Sequence, residues 1–148
     1  MKKEEIISLL PYTEPFLFVD SIEKIDENSV TGFHKFRKQD FFYKGHFKDY
    51  PITPGVILTE TMAQIGLVCL GIFILRNEIA KGIKPKFAMA SSSVEYYVPI
   101  FPEETVKVIS EKIYFRFGKL KCNVRMLNSK EKIVCKGIIS GLIQNKSI

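Results

Sequence analysis

The sequence predicts a single α+β domain in which a β-sheet wraps around one long hydrophobic helix. The chain has 148 residues, the size of one ordinary domain, and 46% of them are apolar, enough to form a core. Residues 55 to about 76 are apolar on nearly every face of a helix, so other structure must cover them. Two strand patterns precede this helix and four follow it. A sheet around the helix satisfies that order with one core, spanning residues 1–148 without a linker or repeat.

Turn and helix signals place the other elements. Residues 2–10 form a short amphipathic helix that Pro11 ends. Residues 16–25 and 30–36 are strands joined by turn residues 26–29, and so form a hairpin. Residues 38–54 are irregular, charged and aromatic, as functional loops often are. The later strands are residues 87–98, 106–117, 120–127 and 133–143.

Composition narrows the class of protein. The net charge of +6 and the pI of about 9.2 suit either an acidic partner or simple solubility. The sequence contains no metal-ligand spacing and no nucleic-acid-binding motif, so neither a metal site nor nucleic-acid binding is expected.

Cysteine usage and the apolar segments indicate where the protein works. Three cysteines, Cys69, Cys122 and Cys135, include no C-x-x-C pair, which indicates a reduced, cytoplasmic protein. The charged N-terminus is not a signal peptide. Residues 56–75 are nearly long enough to cross a bilayer, but Thr59, Glu60 and Gln64 interrupt them, so a buried core helix is expected and not a membrane span.

The candidate catalytic residues are His46 and Glu60. His46 lies in the irregular loop, just before the central helix begins. Glu60 lies in the first turns of a helix that is otherwise apolar, where burial raises the pKa of a carboxyl group and suits it to act as a general acid. Histidine is the usual base near neutral pH.

The start of the central helix supplies a candidate oxyanion site. The first amides of a helix have no partner within it, and Gly55 has no side chain to keep a substrate oxygen away from the Gly55 and Val56 N–H groups.

Each of these candidate site features also has a simpler explanation. A loop His is more often solvated, a lone Glu in a helix is more often a paired core group, and Pro-Gly is often only a helix start.

Order and spacing make the combination more specific. Gly-His-Phe at residues 45–47, Pro-x-x-Pro-Gly-Val at 51–56 and Glu-x-Met-Ala-Gln at 60–64 resemble the β-hydroxyacyl-[acyl-carrier-protein] dehydratases. Leu-Pro at 10–11 and Pro-Phe-Leu-Phe-Val-Asp at 15–20 match the opening of that family. The resemblance is to the type that uses a His/Glu pair, since the sister isomerase type carries Asp at position 60. It is specific over residues 10–66.

The resemblance implies a hot-dog fold, a curled antiparallel sheet around a central helix. It also implies a homodimer, often assembled as a trimer of dimers, that pairs His46 of one subunit with Glu60 of the other. The substrate would be an acyl chain tethered by phosphopantetheine to an acidic acyl carrier protein. No metal and no cofactor are implied.

The implied reaction removes water from a 3-hydroxyacyl thioester and leaves a trans-2-enoyl thioester. His46 takes the C2 proton, Glu60 protonates the departing C3 hydroxyl, and the amides of Gly55 and Val56 hold the thioester oxygen. Gln64, one helical turn after Glu60, holds the carboxyl group in place. Family resemblance alone assigns Phe87 to the acyl tunnel.

Several departures from the family pattern leave the pathway open between fatty-acid synthesis and specialised lipid or polyene synthesis. The opening Pro-His-Arg-Tyr-Pro is Pro-Tyr-Thr-Glu-Pro at residues 11–15, and the later Pro-Gly-Asp turn is Pro-Glu-Glu at 102–104. The alternatives are a thioesterase of the same fold and a non-catalytic acyl-binding subunit. Five basic residues, here called the basic rim, flank the His46 loop and suit an acidic carrier protein: Lys35, Arg37, Lys38, Lys44 and Lys48.

Overall fold

The computed structural model describes residues 1–144, in which a six-stranded antiparallel sheet covers one central helix. The sheet order is β1-β2-β4-β5-β6-β3. This is the α+β hot-dog arrangement that the sequence predicts. The strands are β1 (Ser21–Ile25), β2 (Ser29–Lys35), β3 (Lys86–Tyr96), β4 (Thr105–Arg116), β5 (Lys119–Leu127) and β6 (Ile133–Gln144). A short helix, α1 (Lys3–Ser8), precedes them.

The central helix has three consecutive parts, which together span Gly55–Ile74. It begins as α2 (Gly55–Ala63), continues as a π-helical segment (Gln64–Cys69) and ends as α3 (Leu70–Ile74). The backbone leaves helical geometry at Leu75, and α4 (Arg76–Ala80) follows as a separate helix. The central helix therefore ends at Ile74, two residues before the approximate end at residue 76 that the sequence predicts. Residues 61–72 are all buried, as their apolar character predicts.

Glycine allows the central helix to lie close to the sheet. A Cβ atom on Gly66 would lie 3.1 Å from the Ser110 side chain, and one on Gly32 of β2 would lie 2.9 Å from Ile65. The Ser110 hydroxyl donates a hydrogen bond of 3.0 Å to the Gly66 carbonyl. This bond partners a buried carbonyl in the π-helical segment, which would otherwise carry a desolvation cost.

The first strand begins later than the sequence predicts. Residues 16–19 were expected to open a strand at residue 16, but β1 starts at Ser21. The reason is a long-range side-chain contact. The N–H group of Phe18 and the carbonyl of Phe16 bond to the side chain of Gln64 and not to a neighbouring strand. The segment therefore fixes a residue of the candidate site.

The long apolar segment and the cysteines belong to the core. Among residues 1–144, Gly55–Ile74 is long and apolar enough to cross a bilayer, yet 78% of its most apolar window is buried inside the fold. It is the core helix of this domain. Cys69, Cys122 and Cys135 are all buried, and none forms a disulfide.

β3 forms one edge of the sheet and is largely exposed. Ten of its eleven residues pair with β6 on one side, and within the described chain no strand pairs with the other side. Nine of the eleven are exposed. A long unpaired edge is a template for pairing with another strand.

Candidate active site

His46 is held in a defined orientation by its own loop. A 3₁₀ turn, Phe41–Lys44, precedes it, and the His46 N–H donates to the Phe42 carbonyl at 3.1 Å. Nδ1 lies 2.9 Å from the carbonyl oxygen of Ile52. Because a carbonyl only accepts hydrogen bonds, Nδ1 carries the proton, and Nε2 of the neutral ring keeps its lone pair. The half-buried imidazole is therefore oriented as a base, with the Phe47 ring stacked on it at 3.9 Å.

Glu60 lies half-buried in α2, at an apolar cavity of about 80 Å³. Burial raises the pKa of its carboxyl group, and a hydrogen bond from Gln64 opposes that rise in part. A raised pKa keeps a larger fraction of the carboxyl group protonated near neutral pH, as a proton donor requires. Phe87 lines the same cavity, on the β3 side.

Gln64 fixes one oxygen of Glu60. Its fully buried side chain accepts a hydrogen bond from the Phe18 N–H at 2.8 Å, which identifies Oε1. Its Nε2 then donates to the Phe16 carbonyl at 3.1 Å and to Glu60 Oε1 at 3.0 Å. The amide can only donate to Glu60 in this arrangement. Oε1 of Glu60 is therefore an acceptor, and Oε2 is left to carry the proton.

The amides at the start of α2 are free for a ligand. Ile57 and Leu58 both donate to the Pro54 carbonyl, at 2.9 and 3.1 Å. No side chain caps this end, and within residues 1–144 the Gly55 and Val56 N–H groups have no hydrogen-bond acceptor. Val56 is 76% exposed. Two free amides at a helix N-terminus can stabilise negative charge on an oxygen.

Three further residues at the site were not predicted from the sequence. The Tyr96 ring of β3 covers Gly55, where a Cβ atom would lie 3.2 Å from the ring, and its hydroxyl is hydrogen-bonded to that of Thr59. Tyr12 lines the Glu60 cavity, and its burial together with the negative charge of Glu60 raises its pKa above the ordinary range. Tyr12 could have been suspected, because it stands in the altered opening motif.

The second histidine, His34, is no rival base. It is 3% exposed and lies between the rings of Phe18 and Phe36. Its Nδ1 is 3.3 Å from Asp20. Burial alone would raise the pKa of Asp20, but the close contact with His34 and hydrogen bonds from the Lys35 amide and the Arg37 guanidinium hold it well below the usual range. Its ring is buried, whereas the ring of His46 is half-buried and so more accessible to a substrate.

His46 and Glu60 have different hydrogen-bond partners within residues 1–144. Over residues 1–144 they share neither a hydrogen bond nor an ion pair, and Glu60 has Gln64 as its polar neighbour. In the same part of the chain, no group of three or more His, Cys, Asp or Glu side chains could hold a metal ion.

The basic rim is smaller than its sequence indicates. Arg37 is paired with Asp20 at 3.1 Å and Lys35 with Glu103 at 3.6 Å, so acidic side chains of the fold balance these two charges. The other three rim residues are exposed and form no ion pair within the described chain: Lys38, Lys44 and Lys48.

Comparison with known proteins shows what the chain is similar to. The chain is 36% identical to the 3-hydroxyacyl-[acyl-carrier-protein] dehydratase FabZ of Clostridium perfringens over 143 residues, 94% of this chain and 96% of the relative. It is 41% identical to the FabZ dehydratase of Acinetobacter baumannii over 123 residues, 83% of each chain.

Solved structures of low identity share the fold alone. A thioesterase from Haemophilus influenzae superposes with a TM-score of 0.72 at 10% identity, covering 98% of this chain and 92% of the other. A hypothetical thioesterase from Streptococcus pneumoniae, solved with coenzyme A, gives 0.59 at 16% identity, covering 86% and 87%. The model of the FabA-like domain matches residues 10–136, and the chain therefore belongs to the FabA-like domain family.

Proposed function

We propose that this protein dehydrates 3-hydroxyacyl thioesters carried on acyl carrier protein to trans-2-enoyl thioesters, in fatty-acid synthesis or a specialised lipid or polyene pathway. The observation that carries the proposal is the state of Glu60. A buried glutamine holds one of its oxygens, and burial in an apolar cavity favours the protonated form. A carboxyl group so arranged can deliver a proton to a leaving hydroxyl.

Each group at the site has one role in this elimination. Nε2 of His46 removes the C2 proton of the substrate. The free amides of Gly55 and Val56 stabilise the negative charge that develops on the thioester oxygen. Oε2 of Glu60 gives its proton to the C3 hydroxyl, which leaves as water while the double bond forms between C2 and C3. His46 then holds a proton and Glu60 has lost one, so a proton exchange with solvent restores both.

The working unit in this proposal is a homodimer with shared sites. The edge of β3 is exposed and unpaired within residues 1–144, so it is available to pair with the β3 of a second copy. Each site would then combine His46 of one subunit with Glu60 of the other. A trimer of such dimers is the larger assembly proposed.

The substrate arrives on a carrier protein in the cytoplasm. Acyl carrier protein is acidic, and the unpaired charges of Lys38, Lys44 and Lys48 attract such a partner to the face that bears His46. No metal or cofactor takes part in the proposed steps.

The experiment is product analysis by mass spectrometry after incubation with 3-hydroxyacyl carrier protein. We expect the mass of the acyl carrier protein with its attached chain to fall by one water while the thioester stays intact. Release of free 3-hydroxy acid would identify a thioesterase, the alternative that the fold also permits. An unchanged substrate that nevertheless binds would identify a non-catalytic acyl-binding subunit.

A further inference from the structure

The segment that holds Gln64 lies outside the sheet. Residues 16–19 precede β1, and the Phe18 N–H donates to the Gln64 side chain at 2.8 Å and not to a strand. This N–H decides which end of the Gln64 amide faces Glu60. If the amide turned over, its oxygen would face Oε1 of Glu60, and the proton would have to be on that oxygen and not on Oε2. The placement of Phe18 therefore bears on the chemistry at Glu60.

Asp20 fastens this segment to β2. Its Oδ2 accepts a hydrogen bond from the Lys35 N–H at 2.6 Å, and its Oδ1 accepts one from the Arg37 guanidinium at 3.1 Å. Oδ2 also lies 3.3 Å from Nδ1 of His34. The Asp20 carboxylate thus ties the segment to the end of β2.

His34 connects Asp20 with the Phe18 ring. The imidazole is 3% exposed and lies nearly perpendicular to the rings of Phe18 and Phe36, at centroid distances of 5.6 and 4.9 Å. Both ring nitrogens are buried, and neither has a hydrogen-bond partner among residues 1–144. Two such polar atoms cost free energy, whereas an apolar side chain would fill the same space without that cost. Packing alone therefore does not account for a histidine here, and its contact with the Asp20 carboxylate does.

We propose that His34 and Asp20 are positioning residues that hold the Glu60 carboxyl group in its working orientation. This inference rests on the proposed function, since it concerns the same proton donor. The Asp20 carboxylate contacts the His34 imidazole, and that ring packs on Phe18. The Phe18 N–H then fixes the Gln64 amide, which donates to Glu60. Neither His34 nor Asp20 lines the Glu60 cavity, so both act through this series of contacts.

The kinetic test uses a 3-hydroxyacyl pantetheine substrate and compares two replacements of His34 that have nearly the same shape. His34→Asn places its amide nitrogen where Nδ1 lies and keeps an N–H group facing Asp20, whereas His34→Leu places a methyl group there. A misplacement of about 1 Å can cost about a hundredfold in rate, so His34→Leu should lose roughly ten- to a hundredfold in kcat while KM stays within about twofold. His34→Asn should keep kcat within about threefold of wild type. Equal kcat in the two folded variants would overturn the proposal.

The pH dependence separates positioning from a loss of folded protein. The Gln64 hydrogen bond lowers the pKa of Glu60, so its loss in His34→Leu should move the alkaline limb of the kcat/KM profile to higher pH. Tyr12 is the other titratable residue among the described residues that line the cavity, and no variant changes it. Val30→Ala opens a cavity in the same strand as His34 and is the matched control, which should lower stability in urea without moving the limb. A wild-type limb in folded His34→Leu, or an equal shift in Val30→Ala, would contradict the proposal.

A double variant tests whether the effect passes through Gln64. In a Gln64→Met background, His34→Leu should lower kcat by less than about twofold, because the bond that it disturbs is already absent. Losses that multiply would show that His34 acts independently of Gln64 and would reject the inference. If His34→Leu does not fold, Asp20→Asn removes the charge at the other end of the contact, on a side chain that is 34% exposed, and the same coupling to Gln64→Met is expected.

An exchange measurement does not depend on catalysis. In hydrogen–deuterium exchange followed by NMR, the Phe18 amide should exchange at least about tenfold faster in His34→Leu than in wild type, relative to the amides of β4, and at the wild-type rate in His34→Asn. Faster exchange, together with no enoyl thioester from the wild-type protein, would reject the proposed function and keep the link from His34 to Gln64. Dehydration by the wild-type protein with unchanged Phe18 exchange in His34→Leu would keep the function and reject the link.

Discussion

Replacing Gln64 with Met removes three hydrogen bonds while keeping an unbranched side chain of similar length. The bond to the Phe16 carbonyl matters least, because Phe16 is 40% exposed and water can replace it. The bond to the Phe18 N–H matters most, because Phe18 is 2% exposed and its amide would be left without a partner. An unpaired buried donor costs about 1–3 kcal/mol, so the free energy of unfolding should fall by about that amount.

The same replacement should move the pH dependence of the reaction. The Gln64 hydrogen bond lowers the pKa of Glu60 while burial raises it, so losing the bond raises the pKa further. A general acid works while it is protonated. The alkaline limb of the kcat/KM profile should therefore move to higher pH, while kcat falls because the carboxyl group is less well oriented.

Urea unfolding and pH–rate profiles measure both effects. Gln39→Met, the same change at an exposed position, is the matched control and should leave both unchanged. If Gln64→Met unfolds at the wild-type urea concentration and keeps the wild-type alkaline limb, Gln64 neither supports the fold nor holds Glu60.

Three other predictions concern the shared site, the charge of Glu60 and the carrier protein. Mixing His46→Ala with Glu60→Gln protein should restore activity, because a mixed dimer contains one intact site. If subunit exchange is demonstrated and activity does not recover, each chain must contain a complete site. The raised pKa of Glu60 contributes stability below the usual carboxyl pKa, and this is lost as pH rises through the raised value. In urea unfolding, the unfolding free energy of Glu60→Gln should therefore increase relative to that of wild type as the pH is raised from acid to neutral. If the difference between the two proteins is the same at acid and at neutral pH, the pKa of Glu60 is not raised. Replacing Lys44 and Lys48 with Glu should lower kcat/KM for the carrier-linked substrate at low salt and leave kcat/KM for the pantetheine substrate unchanged. The reason is that these charges attract the acidic carrier protein, and salt screens that attraction over about 8–10 Å. Equal losses for the two substrates would indicate that these lysines serve only solubility.

Local patterns were sufficient to predict the strands and the core helix. Residues 55–74 are apolar on nearly every face of a helix, and the strand patterns before and after them predict the sheet that buries them. The start of β1 could not be predicted in this way. Phe16 and Phe18 have strand character, but their backbone groups bond to Gln64, 46 residues later than Phe18. A prediction from a short stretch of sequence around residues 16–18 cannot include a partner so far along the chain.

The same limit applies to the candidate site. Spacing along the chain placed Glu60 and Gln64 one turn apart, and the structure has a hydrogen bond between them. The contact of the Tyr96 ring with Gly55 joins β3 to α2, and no pattern of neighbouring residues in the sequence predicts it. The pairing of Arg37 with Asp20 likewise needs the folded sheet, so the sequence overstated the free positive charge of the rim.

The most direct test of the central claim is the rate of enoyl thioester formation by His46→Ala and by Glu60→Gln, each shown to be folded by circular dichroism. General acid–base catalysis contributes roughly 10²–10⁴-fold per group, so each variant should lose at least about a hundredfold in kcat. The exposed variant Gln39→Met should keep the wild-type rate. A folded His46→Ala or Glu60→Gln protein that dehydrates substrate within tenfold of wild type would contradict the assignment of these two residues as base and acid.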